Sequence, residues 1–408
     1  MSKRIQCMGA FPKAGAGKNA EVFNGGVPGN AVGEHDHVEG YNTKTLYARG
    51  HAEGDLTEAG WRSHTEGFYS EADDTSHAGG RLTRATGVAA FAHGLELSEQ
   101  PTIGGLKLVT TAELTMHSKV IPVNVSVVGV IEVGDFICIN LPNGNSTDCR
   151  KVDAISEDGL TITLDYPFYE PLQPAYNNQG IDQDAVVFPV GTVVRLADLC
   201  EATGNGAVSV GCATKASGTR AFAHGEKSIA SGEYSEAGGK GCEASGKRAR
   251  ASGTNSKASA ENSVAEGDTA TASAACAVAT GKNTKARGPY SNANGFGTTA
   301  SATCATAMGN QCQANGNGAV AWGSRTYANS QYQTARGISN IPDNEGKYVD
   351  IVGIGNGANP ANGYTLDWSG NGWFAGTVEA TAIILSSPNG TSFKITVDDN
   401  GNLTTTAV

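Results

Sequence analysis

Residues 219–239 read TRAFAHGEKSIASGEYSEAGG, a stretch that returns to small residues every seven positions. Glycine stands at positions 225, 232 and 239, and alanine stands two positions before each of them. Continued in steps of seven from Gly204 to Gly323, the pattern covers eighteen positions, of which fifteen are glycine and three are alanine. Seventeen of the eighteen have alanine two positions earlier, so this part of the chain is a repeat array.

The small residues favour a β-solenoid over a helix. Alternate residues of a strand share one face, and seven residues fit about five extended residues plus a two-residue turn. A coiled coil needs large apolar residues along its seam, and glycine inside a helix costs about 1 kcal/mol relative to alanine. We therefore predict a parallel solenoid in which the repeated alanines fill a narrow interior and Gly225, Gly232 and Gly239 mark turns.

The residues between the small positions indicate a true period of fourteen. Every second unit carries apolar outward residues, whereas the units between them carry mostly charged or polar ones. One coil therefore has two strands, of which one faces an apolar surface and the other faces water. Ile229 is an apolar exception that we expect to be exposed on the polar side.

A solenoid with one apolar outer wall has to cover that wall, and self-association is the economical way to do so. We predict a homotrimer in which one wall of each chain faces a common axis, although the repeat alone leaves a dimer open. The predicted interface residues are Val208, Val210, Phe222, Val264, Val278, Met308, Val320 and Trp322.

A looser copy of the repeat occurs earlier in the chain. HVEG, HAEG, HTEG, HAGG and FAHG begin at positions 37, 51, 64, 77 and 91, at spacings of 14, 13, 13 and 14. TRATGVAAFAHG at 83–94 closely matches TKASGTRAFAHG at 214–225, which indicates one roll interrupted by an insertion. The predicted organisation is an N-terminal segment at 1–32, first roll repeats at 33–96, an inserted β-domain at 97–199, the main roll at 200–337 and a C-terminal β-rich module at 338–408.

The insertion and the C-terminal module have the patterns of antiparallel strands. In the insertion, β-branched runs separated by turn signals predict a small antiparallel barrel or sandwich. Its aromatic residues among prolines are candidates for stacking on sugar rings, although closing a small core is the favoured alternative. These residues are Tyr166, Phe168, Tyr169 and Tyr176. In the C-terminal module, SGNG, SPNG and DDNG predict a β-hairpin tip, in which Asp398 and Asp399 are hairpin residues rather than an acid/base pair.

Composition and missing motifs disfavour several classes of function. The net charge of −11 argues against a nucleic-acid partner, because phosphate binding needs a basic surface. No apolar run is long enough for a membrane helix and the first residues lack the pattern of a secretory signal. The nine cysteines include no CxxC pair, so we expect buried free thiols rather than disulfides or a zinc site. No catalytic motif stands out, and we expect a protein that is not an enzyme.

The histidines at 37, 51, 64 and 77 recur once per coil on the predicted apolar wall. His35 and His37 form an HxH pair, and six such imidazoles in a trimer could bind one transition metal on the axis. The favoured alternative is that each histidine pairs with Glu39, Glu53 or Glu66. Apart from this axial metal, we expect no cofactor.

The repeat resembles a known family. SVAEG at 263–267 and GAVAWG at 318–323 resemble the left-handed parallel β-roll of YadA-type trimeric adhesin heads, and they are similar to SHAEG-type repeats of phage tail fibres. YTLDWSGNGWFAGTVEATAI at 364–383 resembles a module near the C-terminus of tail-fibre proteins in phages and prophages of Gram-positive bacteria. The resemblance implies an all-β homotrimer that forms a distal part of a fibre.

These observations predict a non-enzymatic, homotrimeric phage tail fibre that mediates adsorption to the host. It would be made in the host cytoplasm and reside in the virion, with its N-terminal segment on phage tail or baseplate proteins and its β-domains on a host-surface glycan or protein. Nucleic acid and membrane insertion are not expected. A bacterial trimeric surface adhesin is disfavoured because we find no secretion signal or membrane anchor, and a polysaccharide-degrading tailspike is disfavoured because the roll is narrow and small-cored.

Overall fold

The computed structural model describes residues 13–14, 21–23, 31–95, 107–115, 117–140, 147–167, 187–197, 199–380 and 382–408. Within these ranges the chain has strands and turns and no helix, and most strands wind into a parallel β-solenoid. The predicted all-β solenoid is therefore confirmed. The chain divides into two units, residues 1–270 and 271–408. The described residues include no helix with the length and apolarity needed to cross a membrane.

Each coil of the first unit contains one long and one short strand. The long strands pair in parallel and in register, so that Gly225 faces both Gly211 and Gly239. The long strands are His37–Tyr41, His51–Asp55, His64–Phe68, His77–Arg81, Phe91–Leu95, Val208–Cys212, Phe222–Glu226, Glu236–Lys240, Arg250–Thr254 and Val264–Asp268. The short strands are Lys44–Thr45, Glu58–Ala59, Glu71–Ala72, Thr83–Ala85, Cys200–Ala202, Lys215–Ala216, Ile229–Ala230, Glu243–Ala244 and Lys257–Ala258. Lys13–Ala14 and Glu21–Phe23 pair ahead of the first coil.

The second unit has coils of the same kind. Its long strands are Val278–Lys282, Asn292–Phe296, Thr306–Asn310, Val320–Ser324 and Thr334–Ile338. Its short strands are Thr271–Ala272, Lys285–Ala286, Thr299–Ala300, Gln313–Ala314 and Tyr327–Ala328. Tyr348–Ile354 adds to the last long strand in parallel and is followed by the antiparallel strands Asn362–Asp367 and Gly372–Phe374.

The interior of the roll is closed by small side chains. Ala223 and Ala230 are fully buried, as are the alanines at the same positions of the other coils. The residue after the corner that follows a long strand is usually serine, threonine or cysteine and is also buried, and in some coils its hydroxyl donates to the backbone of the next coil. Ser228 Oγ donates to the carbonyl of Gly239 at 3.1 Å, and Ser256 Oγ donates to that of Gly267 at 3.0 Å. A carbonyl within reach thus satisfies some of these hydroxyls, whereas those of Thr57, Thr284 and Thr298 are buried without a hydrogen-bond partner.

The glycines do not all mark turns, and the prediction that they do is wrong for Gly225 and Gly239. Both lie within long strands and have φ values of 98° and 108°, which residues other than glycine rarely adopt. Gly232 lies at the start of a turn without a positive φ. The corners are instead at Lys227 (φ 54°) and Tyr234 (φ 59°), so the seven-residue period is the spacing between left-handed corner residues.

This difference explains where alanine replaces glycine in the repeat. Every strand position from 211 to 323 is glycine with a positive φ. The three alanines, at 260, 274 and 302, all occupy the turn position, where no positive φ is required. The two halves of a coil are therefore unequal: a five-residue strand and a two-residue strand are joined by a short corner on one side and a longer turn on the other.

The roll continues across the insertion. Phe91–Leu95 pairs in parallel with Val208–Cys212, and Thr83–Ala85 pairs with Cys200–Ala202. The coils before and after the insertion therefore pair directly with each other, without a strand from residues 96–198 between them.

The insertion itself folds as a barrel, the first of the two predicted alternatives. Its five-stranded sheet runs in the order Val120–Pro122, Thr161–Leu164, Thr147–Ile155, Phe136–Asn140 and Val194–Leu196. Bridges from Val109 to Val193 and from Thr110 to Val123 join the two edges of this sheet. Leu114–Thr115 and Val187–Phe188 form a further pair.

Two cysteines contradict the expectation of free thiols throughout. Cys138 and Cys149 face each other on adjacent strands of the barrel and form a disulfide. Cys200, Cys242 and Cys312 are buried free thiols inside the roll, as predicted. Sequence spacing could not reveal the disulfide, because the two cysteines become neighbours only through the antiparallel register of their strands.

Polar contacts tie the barrel to the first roll. Arg84 donates to Glu71 at 3.0 Å and to Glu201 at 3.2 Å, and it also reaches the carbonyl of Gly134 in the barrel at 2.9 Å. Lys151 of the barrel pairs with Glu71. Burial disfavours the charge on Glu71, yet Lys151 and Arg84 hold the pKa of Glu71 below its usual value. The insertion is thus anchored by a charge network on the short-strand side.

The last residues form a three-stranded antiparallel sheet of Ile383–Ser386, Ser392–Val397 and Leu403–Ala407. Asp398 closes one hairpin by accepting hydrogen bonds from the amides of Asn400 at 2.9 Å and Asn402 at 2.8 Å. The side chain of Asn402 donates to the same carboxylate, and the pKa of Asp398 is lowered as a result. Asp398 is a hairpin residue, as expected.

A matched pair of substitutions tests the role of the strand glycines. A Cβ added at Gly225 would lie 2.2 Å from the carbonyl oxygen of Gly239, and one added at Gly232 would lie 2.0 Å from the carbonyl oxygen of Gly246. The crowding at the two positions is therefore similar, and the main difference between them is φ. We expect Gly225→Ala to lower the unfolding free energy by about 1–3 kcal/mol more than Gly232→Ala, measured by denaturant unfolding. Equal losses would show that crowding, not φ, fixes glycine in the strands.

Candidate functional site

The outer face of the long strands is the surface on which the unusual side chains of the roll gather. We use "outer face" for the residues one and three positions before each strand glycine, such as Phe222 and His224. Because strand residues alternate, Ala223 between them points inward while these two point outward. Parallel pairing in register stacks the same outward position of neighbouring coils into a column, as for Val208, Phe222 and Glu236.

In the first coils, one such column is a histidine ladder, formed by His37, His51, His64 and His77. Successive ring centroids are 4.5, 4.6 and 4.8 Å apart. Phe91 extends the ladder by stacking on His77 at 4.9 Å, with 10° between the ring planes. The aligned strands thus bring together imidazoles that are thirteen or fourteen residues apart in sequence.

Glutamates flank the ladder in the neighbouring column. Glu39 lies 3.7 Å from His37 and Glu53 lies 3.8 Å from His51, whereas Glu66 lies 3.8 Å from His77 of the next coil. These separations between ring nitrogen and carboxylate oxygen are longer than hydrogen bonds. Burial and the neighbouring imidazoles His64 and His37 lower the pKa of His51, and burial and His64 lower the pKa of His77. Those two imidazoles are therefore held towards the neutral form.

Three of these side chains have the composition of a metal-binding group. The ligand atoms of His51, Glu53 and His64 all lie within 4.8 Å of one another. Nε2 of His51 and Nε2 of His64 are buried and have no hydrogen-bond partner. Neutral imidazoles and a carboxylate are ligands that zinc accepts, so this trio could hold a divalent transition metal.

The predicted metal pair is placed differently. His35 is an exposed corner residue with φ 64°, and its ring lies 3.7 Å from Glu34, whereas His37 begins a long strand and belongs to the ladder. The predicted pair has an HxH spacing, whereas the structure groups an HxE pair with the histidine of the next coil. The recurrence of HxEG after 13 residues was the signal for this grouping.

All eight predicted interface residues lie on the outer face. Val210, Phe222, Met308 and Trp322 are 38%, 39%, 41% and 49% exposed, and the other four are half-buried: Val208, Val264, Val278 and Val320. Phe91, which is not among the predicted interface residues, is 37% exposed and occupies the same column as Val208 and Phe222. Ile229 lies on a short strand and is 37% exposed. The assignment of these residues to an interface stays a prediction.

Charged residues interrupt the apolar outer face of the first unit after Phe222. Glu236 follows in the same column, and Arg250 follows Glu236. Arg250 lies 3.6 Å from Glu236 and 3.3 Å from Glu266, and His224 lies 3.9 Å from Glu236. The apolar wall is therefore divided into patches by ion pairs.

The predicted carbohydrate residues are only partly covered by the structure. Tyr166 is half-buried, and the ammonium group of Lys119 lies 5.8 Å from its ring centroid. Phe168, Tyr169 and Tyr176 lie outside the described residues. The carbohydrate assignment of this segment stays a prediction.

The matched parts of the roll are two pairs of coils. Residues 244–270 and 300–326 match the YadA head domain repeat, and each match begins at the buried alanine of a short strand. The chain contains YadA head domain repeats. This repeat is a motif of trimeric autotransporter adhesins, and these two stretches are similar to it. No curated protein matches the chain.

The histidine ladder predicts acid sensitivity in the coils that precede the YadA head repeats. The ordinary pKa of 6.5 for His51 and His77 is lowered in the folded chain, so the unfolded chain binds protons more readily. The stability that neutral His51 and His77 contribute is therefore present above pH 6.5 and is lost as the pH falls below that value. We expect the melting temperature to fall on the order of a few degrees between about pH 7.5 and about pH 5.

The double variant His51→Gln, His77→Gln is the control for this pH dependence. Glutamine keeps a polar side chain in the ladder but does not titrate, so the melting temperature should vary less with pH than in the natural chain. Identical pH profiles for the two proteins would assign the acid sensitivity to the flanking carboxylates.

Proposed function

We propose that the chain forms a homotrimeric fibre that adheres to a bacterial surface, as the tail fibre of a phage. The observation that carries this proposal is the outer face, where large apolar side chains lie exposed on coils that contain YadA head repeats. The roll would act as a stiff spacer, and the barrel or the C-terminal module would contact the host. Its role would be binding, without catalysis.

Self-association follows from the inability of the roll to cover its own apolar side chains. The interior accepts alanine, serine, threonine and cysteine but has no space for Phe222 or Trp322. Burying a large apolar side chain contributes about 1.5–3 kcal/mol, and several of them share the outer face. Three outer faces around one axis would bury these residues and keep the polar short strands in water.

The C-terminal three-stranded sheet supports assembly in the same way. Its register places Ile383, Leu385, Phe393, Val397 and Leu403 on one face, with mostly polar residues on the other. All five are exposed, by between 37% and 73%. A small sheet needs its apolar face packed to be stable in water, and the matching sheets of two other chains would supply that packing.

A bacterial surface adhesin is the second candidate, and the YadA head repeats favour it as directly as they favour the fibre. The resemblance of residues 364–383 to tail-fibre modules favours the phage setting. Mass spectrometry of purified phage particles and of proteins released from the surface of intact cells separates the two. Peptides of this chain in particles support the fibre, and peptides only on cells support the adhesin.

The outer face offers a matched test of assembly. We expect Phe222→Asp to weaken the trimer, because a carboxylate would be buried at the axis, whereas Ile229→Asp on the opposite wall should leave the trimer intact. Mass photometry of the natural protein should give three times the chain mass of 41.7 kDa. A monomeric natural protein, or equal effects of the two variants, would contradict the assignment of this wall.

Deletions test which part contacts the host. The strand pairing shows that Leu199 follows Leu95 in the stack, so deleting residues 96–198 restores a coil of regular length and removes the barrel. A second variant lacks residues 338–408. In binding assays on a panel of bacterial cells, we expect one deletion to reduce binding at least about tenfold while the protein stays folded. If neither affects binding, the chain is a structural shaft.

A further inference from the structure

An open groove of about 490 Å³ lies on the long-turn side of the first roll. It is lined by Tyr47, Trp61, Asp73, Asp74, Thr86 and Val88. None of these residues belongs to the outer face or to the barrel. The lining combines aromatic rings with carboxylates, which is unusual in a chain with 7% aromatic residues.

The groove arises from a change in turn length. The turns at 46–50 and 86–90 have five residues, whereas the turns at 60–63 and 73–76 between them have four. The shortened turns account for the 13-residue spacing and recess two coils between two longer ones. In the other coils of the roll that the structure describes, the corresponding turn has five residues. The irregular spacing of the first repeats therefore produces the groove.

The aromatic side of the groove is held in place and still accessible. The guanidinium of Arg62 lies over the ring of Trp61 at 4.2 Å from its centroid, which covers one face of the indole. Trp61 is nevertheless 41% exposed and Tyr47 is 61% exposed. Gly60 keeps the space above Asp73 open, since a Cβ there would lie 3.2 Å from its carboxylate. Open, anchored rings of this kind can stack on the C–H faces of a sugar.

The carboxylates supply the polar half of the groove. Asp73 and Asp74 are exposed, and they lie on the coil between Trp61 and Val88. Burial raises the pKa of Asp73, and the nearby carboxylates of Glu71 and Asp74 raise it further, whereas Arg84 lowers it. Carboxylates accept hydrogen bonds from hydroxyl or amino groups and repel anions. The groove is therefore suited to a neutral or amino sugar rather than to a uronate or a phosphorylated glycan.

We propose that the groove formed by the two shortened turns is a binding site for neutral or amino sugars. Trp61 is the stacking platform, and Asp73 and Asp74 accept hydrogen bonds from the hydroxyl groups of the sugar. At a coil rise of about 4.8 Å, the four turns that line the groove span about 14 Å, which is enough for two or three sugar units. This inference deepens the proposed function, because the ligand would be a glycan of the bacterial surface.

The test uses the full-length protein on an array of neutral, amino, uronate and phosphorylated oligosaccharides. We expect binding to neutral or amino sugars and none to the anionic ones. Trp61→Ala and Asp73→Asn should each weaken binding at least about tenfold. Tyr290→Ala removes an exposed turn aromatic outside this groove and should change binding less than about twofold. Melting temperatures of all variants show that each is folded.

Other outcomes overturn the inference. Absence of binding on the array, retention of binding by Trp61→Ala, or a response to Ca²⁺ alone that is lost in Asp73→Asn would show that the groove is not a sugar site. Adhesion is tested separately by binding of the same variants to whole cells. Cell binding that Trp61→Ala leaves unchanged would keep the proposed function and reject the groove as the receptor site. Sugar binding without cell binding would keep the groove as a sugar site and reject the proposed function.

Discussion

The spacing between opposite walls of the roll is the constraint on which the rest of the structure depends. Alanines at the inward positions are fully buried, and strand glycines such as Gly225 approach the next coil so closely that a Cβ would contact its carbonyl. Each buried methyl group contributes only about 0.8 kcal/mol, so the interior cannot stabilise the roll as a large-residue core would. The backbone ladder carries the coil geometry, and the large apolar side chains of the regular coils, such as Phe222, point outward.

This constraint explains what the sequence could predict. The inward small residues predicted the solenoid, and the outward residues between them predicted the fourteen-residue coil and its two unlike walls, because one repeat position is one structural position. The path of the backbone was harder to predict, because glycine occurs at two kinds of position. The φ of 98° at position 225 requires glycine, whereas Gly232 lies at a turn position where another coil has Ala260. Only the contrast between the two sets of positions separates these roles.

The unpredicted contacts involve residues that become neighbours through register or loop length. Cys138 and Cys149 pair because two antiparallel strands face each other, and His51, Glu53 and His64 meet because parallel strands stack a 13-residue repeat. The charge network of Glu71, Arg84 and Lys151 likewise joins the roll to a domain inserted after it. Composition and local motif spacing do not encode such distances, although the recurring HxEG pattern and the 13-residue coils were visible signs of them.

The first roll shows how a repetitive scaffold can hold several features without conflict. Its coils present the histidine ladder on the long strands and the groove on the opposite turns. Their corner residues Tyr69 and Leu82 pack in a buried cluster with Phe136 of the barrel. Each feature is a departure from the regular coil on a different side of the same backbone. Because neighbouring coils are held mainly by backbone pairing and a small-residue interior, such departures leave the stack intact. The irregular coils are therefore where specific chemistry can evolve, while the YadA head repeats at 244–270 and 300–326 keep the regular coil.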